Sequence, residues 1–322
     1  MSYINNPQLG TIKKGYPGNK QVNGRFSGEY SIGSAGFSDF VKWRFGNPQK
    51  KEKKNSVPDI KFEWLSELPS VDSLVWLGHA TFVINIEGIS MITDPVLYDI
   101  PMFRRRTLLP LGPEEITGLD YILLSHDHRD HLDIRSLKII EKYNPDAEIL
   151  APLGIRRILE NKISLKISEA GWFQRYETRG VDIDLLPAVH WGRRKLTDGN
   201  KDLWGSFMIS ANGRHIYFAG DTAYNKKLFE DIAELYQEPD ICIFPIGAYS
   251  PRFFMKYAHM SPSEAVEAFT DIGGKTFVPM HYGTFVLSDE PINEPVSLLE
   301  KEFTGISDKQ LNIPGIGEVI RL

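Results

Sequence analysis

The chain has 322 residues, 42% hydrophobic and 25% charged, the profile of an ordinary globular protein with room for a sizeable core. A formal net charge of −5 argues against a nucleic-acid binder. The single cysteine, Cys242, excludes both an intrachain disulfide framework and a thiolate-rich metal site, and in "ICIFPIG" it reads as a small buried residue.

Residues 1–57 are rich in Gly, Asn, Lys, Ser and Pro and include the charge run "NPQKKEKKNS" at 47–56. They read as an extension that wraps the core or stays partly mobile, with "FSDFVKWRF" (37–45) as one short amphipathic helix. The opening residues lack the apolar core of a secretion signal, and no apolar stretch approaches the roughly 20 residues that cross a bilayer. The expected location is therefore the cytoplasm.

A single domain is expected over 58–322. "SLVWLGHATFVINIEGISMITDP" (73–95) breaks at Gly78, Gly88 and Asp94-Pro95 into consecutive meander strands. A Pro- and Arg-rich loop (101–113) and the strand "YILLS" follow. A helix then starts near Ile134, with Asp133 as N-cap and Ile134, Leu137 and Ile140 on one face. Next come a strand at 147–151, a helix at 153–161, and strands near 163–168, 173–178, 181–190, 203–210 and 215–221. A helix at 225–236, a strand at 241–247, a helix at 261–272, a strand at 276–281 and a helix near 295–303 complete the series. Strands that first cluster and then alternate with helices indicate a mixed α/β class with layered sheets.

"SHDHRDHLD" (125–133) spends three of the chain's eight histidines on one loop behind an apolar strand. Residues two apart in extended chain point the same way, so His126, His128 and Asp130 project from one edge and His131 follows at the turn. Four ligand-type residues in six positions suit two metal ions, and nitrogen and carboxylate donors without sulfur favour zinc, with manganese or iron as alternatives. His190, Asp221 and His281 each end an apolar run, where open α/β sheets carry their sites. Seven donors suffice for two three-ligand sites that share one carboxylate.

These motifs resemble the metallo-β-lactamase superfamily, and within it the branch of N-acylphosphatidylethanolamine-hydrolysing phospholipases D. The resemblance rests on "WLGHATFVI", "TDPV", "LSHDHRDHLD", "PAVHWGRR", "FAGDTAY", "PIGAYSPRFFMKYAHMSPSEA" and "MHYGTF", and runs from about residue 60 to 303. It implies a four-layer αββα sandwich with a dinuclear site along one edge of the sheets. It implies further that His126, His128 and His190 hold the first zinc, that Asp130, His131 and His281 hold the second, and that Asp221 bridges them. The family's histidine matching His259 faces the substrate phosphate; its neighbouring glutamine is Ala258 here, and its tyrosine between ligands is Arg129. Arg129 is thus expected to grip a phosphate oxygen, and Arg193 and Arg194 to help hold an anionic substrate.

His79 in "GHATF" and Asp94 in "TDP" read as partners that steer ligands. "IPMFRRRTLLP" (100–110) and "PRFFMKY" (251–257) mix aromatic, aliphatic and basic residues, the composition of a peripheral contact with an anionic lipid surface. The implied reaction is phospholipase D-type hydrolysis of N-acylphosphatidylethanolamine or a related phospholipid by a metal-bridging hydroxide, with Asp130 and Asp221 orienting the nucleophile. The products would be phosphatidic acid and the headgroup alcohol. A lactonase or another ester hydrolase on the same scaffold is the competing expectation, and a scaffold that only binds lipid is a third. A homodimer stays open.

Overall fold

The alternating runs become strands of two seven-stranded sheets in the computed structural model, which describes residues 1–34, 36–46, 58–61 and 71–322. The charge run at 47–56 lies outside the described residues. Three short strands, β1 (Ser2–Ile4), β2 (Asn19–Val22) and β3 (Arg25–Phe26), form a small antiparallel sheet within the expected extension. The Gly- and Asn-rich sequence gave no alternation from which to expect it. Helix α1 (Phe37–Phe45) coincides with the expected amphipathic segment.

The first large sheet begins with β4 (Ser73–Gly78), β5 (Thr81–Ile86) and β6 (Ile89–Thr93), the meander expected from the glycine breaks. It continues through β7 (Tyr121–Leu123); then follow α2 (Ile134–Tyr143), β8 (Glu148–Pro152), the short helix α3 (Arg156–Leu159) and β9 (Lys166–Ala170). The Asp133 carboxylate accepts from the Ser136 N–H at 2.9 Å and caps α2.

The second sheet takes β10 (Gln174–Arg175), β11 (Asp182–Leu186), β12 (Ser206–Ala211) and β13 (Arg214–Phe218) as antiparallel neighbours. After α4 (Lys226–Leu235) it adds the parallel strand β14 (Ile241–Pro245). The short α5 (Arg252–Met255) and α6 (Pro262–Asp271) lead to β15 (Thr276–Met280), also parallel. Helix α7 (Glu294–Phe303) and the short β16 (Gln310–Leu311) follow, and β17 (Val319–Arg321) returns to pair with β4 in the first sheet.

Side-chain alternation decides the layers. On β4, Leu74 and Trp76 enter the core shared by the two sheets, while Val75 and Leu77 face Leu137 and Ile140 of α2. On the far side, Leu228 and Phe229 of α4, Phe269 of α6 and Leu299 of α7 pack with Phe244 and Phe277 of the second sheet. Helix, sheet, sheet, helix is the resulting order, the αββα sandwich expected from the resemblance. Strands β4, β5, β7 and β14 are buried along their whole length.

The first 33 residues lie against this sandwich. The Asn6 N–H donates to Gln174 Oε1 at 2.9 Å, and Lys13 Nζ and the Tyr30 hydroxyl reach Asp231 Oδ2 at 3.1 and 2.7 Å. Trp43 of α1 stacks on Phe254 at 5.1 Å, and Lys42 sits 4.6 Å above the Phe253 ring. These contacts correct the picture of 251–257 as open to lipid: its two phenylalanines lie under α1, and Lys256 is its exposed residue.

Candidate metal centre

The carboxyl ends of β7, β11, β13 and β15 lie on one edge, and the polar residues that follow them converge there. Two nests of ligand-type atoms result, each within 4.8 Å: His126, His128, His190 and Asp221 in one, His79, Asp130, His131 and His281 in the other. The seven residues singled out in the sequence are all present, and His79 joins them.

Hydrogen bonds at the outer nitrogens fix which atom each imidazole turns inward. Asp94 accepts from the Ser125 N–H at 2.7 Å, from the Ser125 hydroxyl at 2.5 Å and from His131 Nδ1 at 2.7 Å. With its own proton given to Asp94, Ser125 Oγ can only accept from His126 Nδ1, 2.9 Å away. One carboxylate therefore sets the tautomers of both His126 and His131, leaving each Nε2 as a lone pair aimed inward. His190 Nδ1 donates to the Ala258 carbonyl at 3.0 Å, which likewise frees its Nε2.

The inward atoms crowd one another at the spacing a shared cation would set. His126 Nε2 and His190 Nε2 lie 3.0 and 3.1 Å from His128 Nδ1, so two lone pairs face one atom. Nitrogens at the corners of a zinc tetrahedron stand about 3.3 Å apart, given Zn–N bonds of roughly 2.0–2.1 Å. His131 Nε2 and His281 Nε2 are 3.1 Å from the two oxygens of Asp221. Asp221 Oδ1 and both Nε2 atoms are buried without hydrogen-bond partners, a cost that a bound cation would remove. From the other nest, His126 Nε2 and His190 Nε2 stand 3.9 and 3.8 Å from Asp221 Oδ2. Asp221 reaches the inward nitrogens of both nests, and the residues present fit two divalent cations that share it.

Electrostatics separate the nests. Burial and neighbouring imidazoles hold His126 and His190 well below the usual histidine range, and burial takes His128 down to about 4. Burial also opposes charge on His131 and His281, but Asp221 and Asp130 outweigh it: His131 is held well above its ordinary value and His281 is raised to about 9. Asp130 is tethered by His79, whose Nε2 lies 3.2 Å from Asp130 Oδ2. His79, His281 and Asp94 have φ of 55°, 63° and 33°, left-handed conformations that cost non-glycine residues about 1–3 kcal/mol and cluster at functional sites.

Around the mouth, the expected substrate residues divide. His259 points inward, with Nδ1 buried, unpartnered and 3.9 Å from Asp221 Oδ2. Its main chain is held by Arg252, which donates to the His259 carbonyl at 2.9 Å and makes a two-pronged pair with Glu264 at 2.7 and 2.6 Å. That clamp was invisible in the sequence, where Arg252 and Glu264 stand 12 positions apart. Arg129 and Arg193 are exposed at the rim. Arg194 is corrected: its guanidinium turns inward and donates to the carbonyls of Asp127 and Leu132 at 2.8 Å each, bracing the ligand loop. Asp127, between two of the ligands, accepts from the Arg193 N–H at 2.7 Å, and burial beside the Asp202 carboxylate raises it to about 7.

The 100–110 loop is also corrected in part. Arg105 donates to the carbonyls of Val96 at 2.8 Å and Thr107 at 3.1 Å and to that of Leu77, and burial pushes its guanidinium down to about 10. Arg104, Arg106, Met102 (95% exposed) and Leu108 (75% exposed) remain outside.

Comparison with known proteins agrees with this geometry. Residues 91–282, more than half of the chain, match the family model described as beta-lactamase superfamily domain. A Caenorhabditis elegans protein named N-acyl-phosphatidylethanolamine-hydrolyzing phospholipase D 1 is 36% identical over 225 residues, 65% of this chain and 63% of that one. The chain thus spans less than two thirds of that relative's length. A metal-dependent hydrolase of Caldivirga maquilingensis is 32% identical over 219 residues, covering 66% of this chain and 82% of that protein. Among solved structures, the isothiocyanate hydrolase from Delia radicum gut bacteria superposes with a TM-score of 0.61, 17% identity and coverage of 78% and 98%, a likeness of fold.

Proposed function

The chain belongs to the metallo-β-lactamase superfamily, in its N-acylphosphatidylethanolamine-hydrolysing phospholipase D-like branch, and from that premise we propose that it is a dinuclear zinc-dependent phosphodiesterase. Its reaction is phospholipase D-type: water cleaves the bond between phosphorus and the headgroup oxygen, giving phosphatidic acid and the headgroup alcohol. N-acylphosphatidylethanolamine or a related phospholipid is the substrate. The observation that carries the reading is Asp221, whose two oxygens serve both nests while His126, His131, His190 and His281 each turn Nε2 toward it.

His126, His128, His190 and Asp221 would hold one ion, and Asp130, His131, His281 and Asp221 the other. Two divalent cations held there would supply a lowered pKa for bound water and screening of a phosphodiester's charge. Asp130 takes the proton of the attacking water, because His79 fixes its carboxylate at the edge of the nest. His259 and Arg129 stabilise the phosphoryl oxygens, Arg129 in place of the family's tyrosine, and Arg193 steers the anion to the mouth. With Ala258 where the family has glutamine, one polar contact to the phosphate is missing, and the exposed Arg129 is the group that would offset it.

Arg104 and Arg106 beside Met102 and Leu108 supply basic and apolar contacts to an anionic bilayer. Among the described residues no helix is long and apolar enough to cross a membrane, so contact through such loops is the proposed route to a lipid substrate. The test is metal content by mass spectrometry together with hydrolysis of a bis-aryl phosphodiester and a lactone. Two zinc ions per chain and preference for the diester are expected. Preference for the lactone would replace this reading with the lactonase, and two ions without hydrolysis of either ester would favour a lipid-binding scaffold.

A further inference from the structure

Ligating imidazoles are usually steered by a group that accepts the proton of the outer nitrogen. Ser125, Asp94 and the Ala258 carbonyl do this for His126, His131 and His190. His128 lacks such a group. It turns Nδ1 inward, so its proton sits on Nε2, and that atom is buried without a hydrogen-bond partner. Besides the imidazoles of His126 and His190, whose Nε2 atoms its Nδ1 faces, the ring packs against Trp191, with centroids 4.5 Å apart and the planes at 72°. His281 also has an unpartnered outer nitrogen, but its ring neighbours are the imidazoles of His79 and His259, not an electron-rich indole.

We propose that Trp191 is the positioning residue of His128, its indole π system taking the Nε2–H where the other ligands use oxygen. This inference rests on the dinuclear reading. Perpendicular rings at this distance suit an N–H directed at an aromatic face. Coordination at Nδ1 gives the imidazole cationic character, and the indole's negative face then attracts it more strongly than in the free protein. The contact is therefore worth most when the first ion is bound.

The loop holds Trp191 in place for this. The residue before it is the ligand His190. The Gly192 N–H after it donates to Asn200 Oδ1 at 3.2 Å, and the Arg193 N–H to Asp127 Oδ1 at 2.7 Å. Gly192 has no room for a side chain on that side: an added Cβ would stand 3.0 Å from Asp127 Oδ1. Trp191 itself is 41% exposed, so the fold does not depend on burying it and it can be replaced without opening the core.

The experiment compares wild type, Trp191→Leu and Trp191→Phe by competition with a chromophoric chelator for zinc, with circular dichroism and thermal unfolding of the chelated forms as the check on folding. Leucine should weaken one of the two ions by roughly 10–100-fold, the usual loss with an outer-shell partner, and leave the other unchanged. Phenylalanine, which keeps a π face, should restore most of that loss. Zinc should also quench tryptophan emission in wild type more than in Trp191→Phe. If Trp191→Leu holds both ions as tightly as wild type, or phenylalanine is as poor as leucine, the assignment is overturned while the dinuclear reading stands. A wild-type chain that takes up no zinc would overturn both.

Discussion

Replacing Asp94 by asparagine reverses one proton at the centre of the site while hardly changing its shape. Asp94 is fully buried and serves His131 directly and His126 through Ser125. The amide that takes its place has one accepting oxygen and one donating nitrogen. If the oxygen keeps the Ser125 N–H, the amide nitrogen faces His131 Nδ1, donor against donor. His131 must then move its proton to Nε2, the atom 3.1 Å from Asp221 that should be a lone pair. A charge-assisted hydrogen bond contributes about 1.5–3 kcal/mol, and 1.4 kcal/mol is a factor of ten, so the second ion should bind roughly 10–150-fold more weakly. The first ion should weaken less, because Ser125 stands between Asp94 and His126. The assay is chelator competition with metal analysis after desalting, with circular dichroism to exclude misfolding. Asp94→Asn protein holding two ions at wild-type affinity would refute the claim that this carboxylate sets the tautomers.

Further outcomes follow from the same geometry. Asp221→Ala should lose one ion and nearly all turnover; retained hydrolysis would remove its bridging role. Arg129→Ala should raise the KM for a phosphodiester about tenfold with kcat little changed, the loss expected for one charged hydrogen bond; an unchanged KM would return this arginine to solvent. Paired Met102→Asp and Leu108→Asp changes should weaken binding to anionic vesicles while sparing hydrolysis of a soluble diester, since both side chains are exposed; equal losses in both assays would make the loop structural. The metal-free protein should be most stable near pH 6.5. Burial holds His128 and His259 near 4, so the stability of keeping them neutral is complete above 6.5 and lost as pH falls toward 4. His281, raised to about 9, stabilises fully below 6.5 and loses that contribution as pH rises through 9. Each group contributes about 1.4 kcal/mol per pH unit within its window. Thermal unfolding in chelator from pH 4 to 9 should show the maximum, and a flat profile would contradict these shifts.

The site was legible in the sequence because the sandwich buries its strands on both faces. His190, Asp221 and His281 advertise themselves by closing apolar runs. The meander at 73–95 and the capped helix after Asp133 were readable for similar local reasons. Arg105 was not: three consecutive arginines carry no mark of the one whose carbonyl partners come from Leu77, Val96 and Thr107. Arg194 was hidden likewise, since its acceptors are main-chain oxygens supplied by the fold, and Arg252 joins the His259 carbonyl to a carboxylate 12 positions away. The contact of His79 with Asp130 spans 51 positions of sequence, and the three-stranded sheet near residue 2 depends on surfaces completed far downstream.

That dependence has a consequence for how the molecule is made. The leading segment finds its anchors at Gln174, Asp231 and Phe254, and β4 acquires its outer neighbour only from Val319–Arg321. During synthesis, the contacts of this segment with Gln174, Asp231 and Phe254 must wait for those residues to emerge, and the edge of β4 stays uncovered until Val319–Arg321 follow. Closing such distant contacts is slow, and a strand edge left open in the meantime is a template for mispairing with other chains.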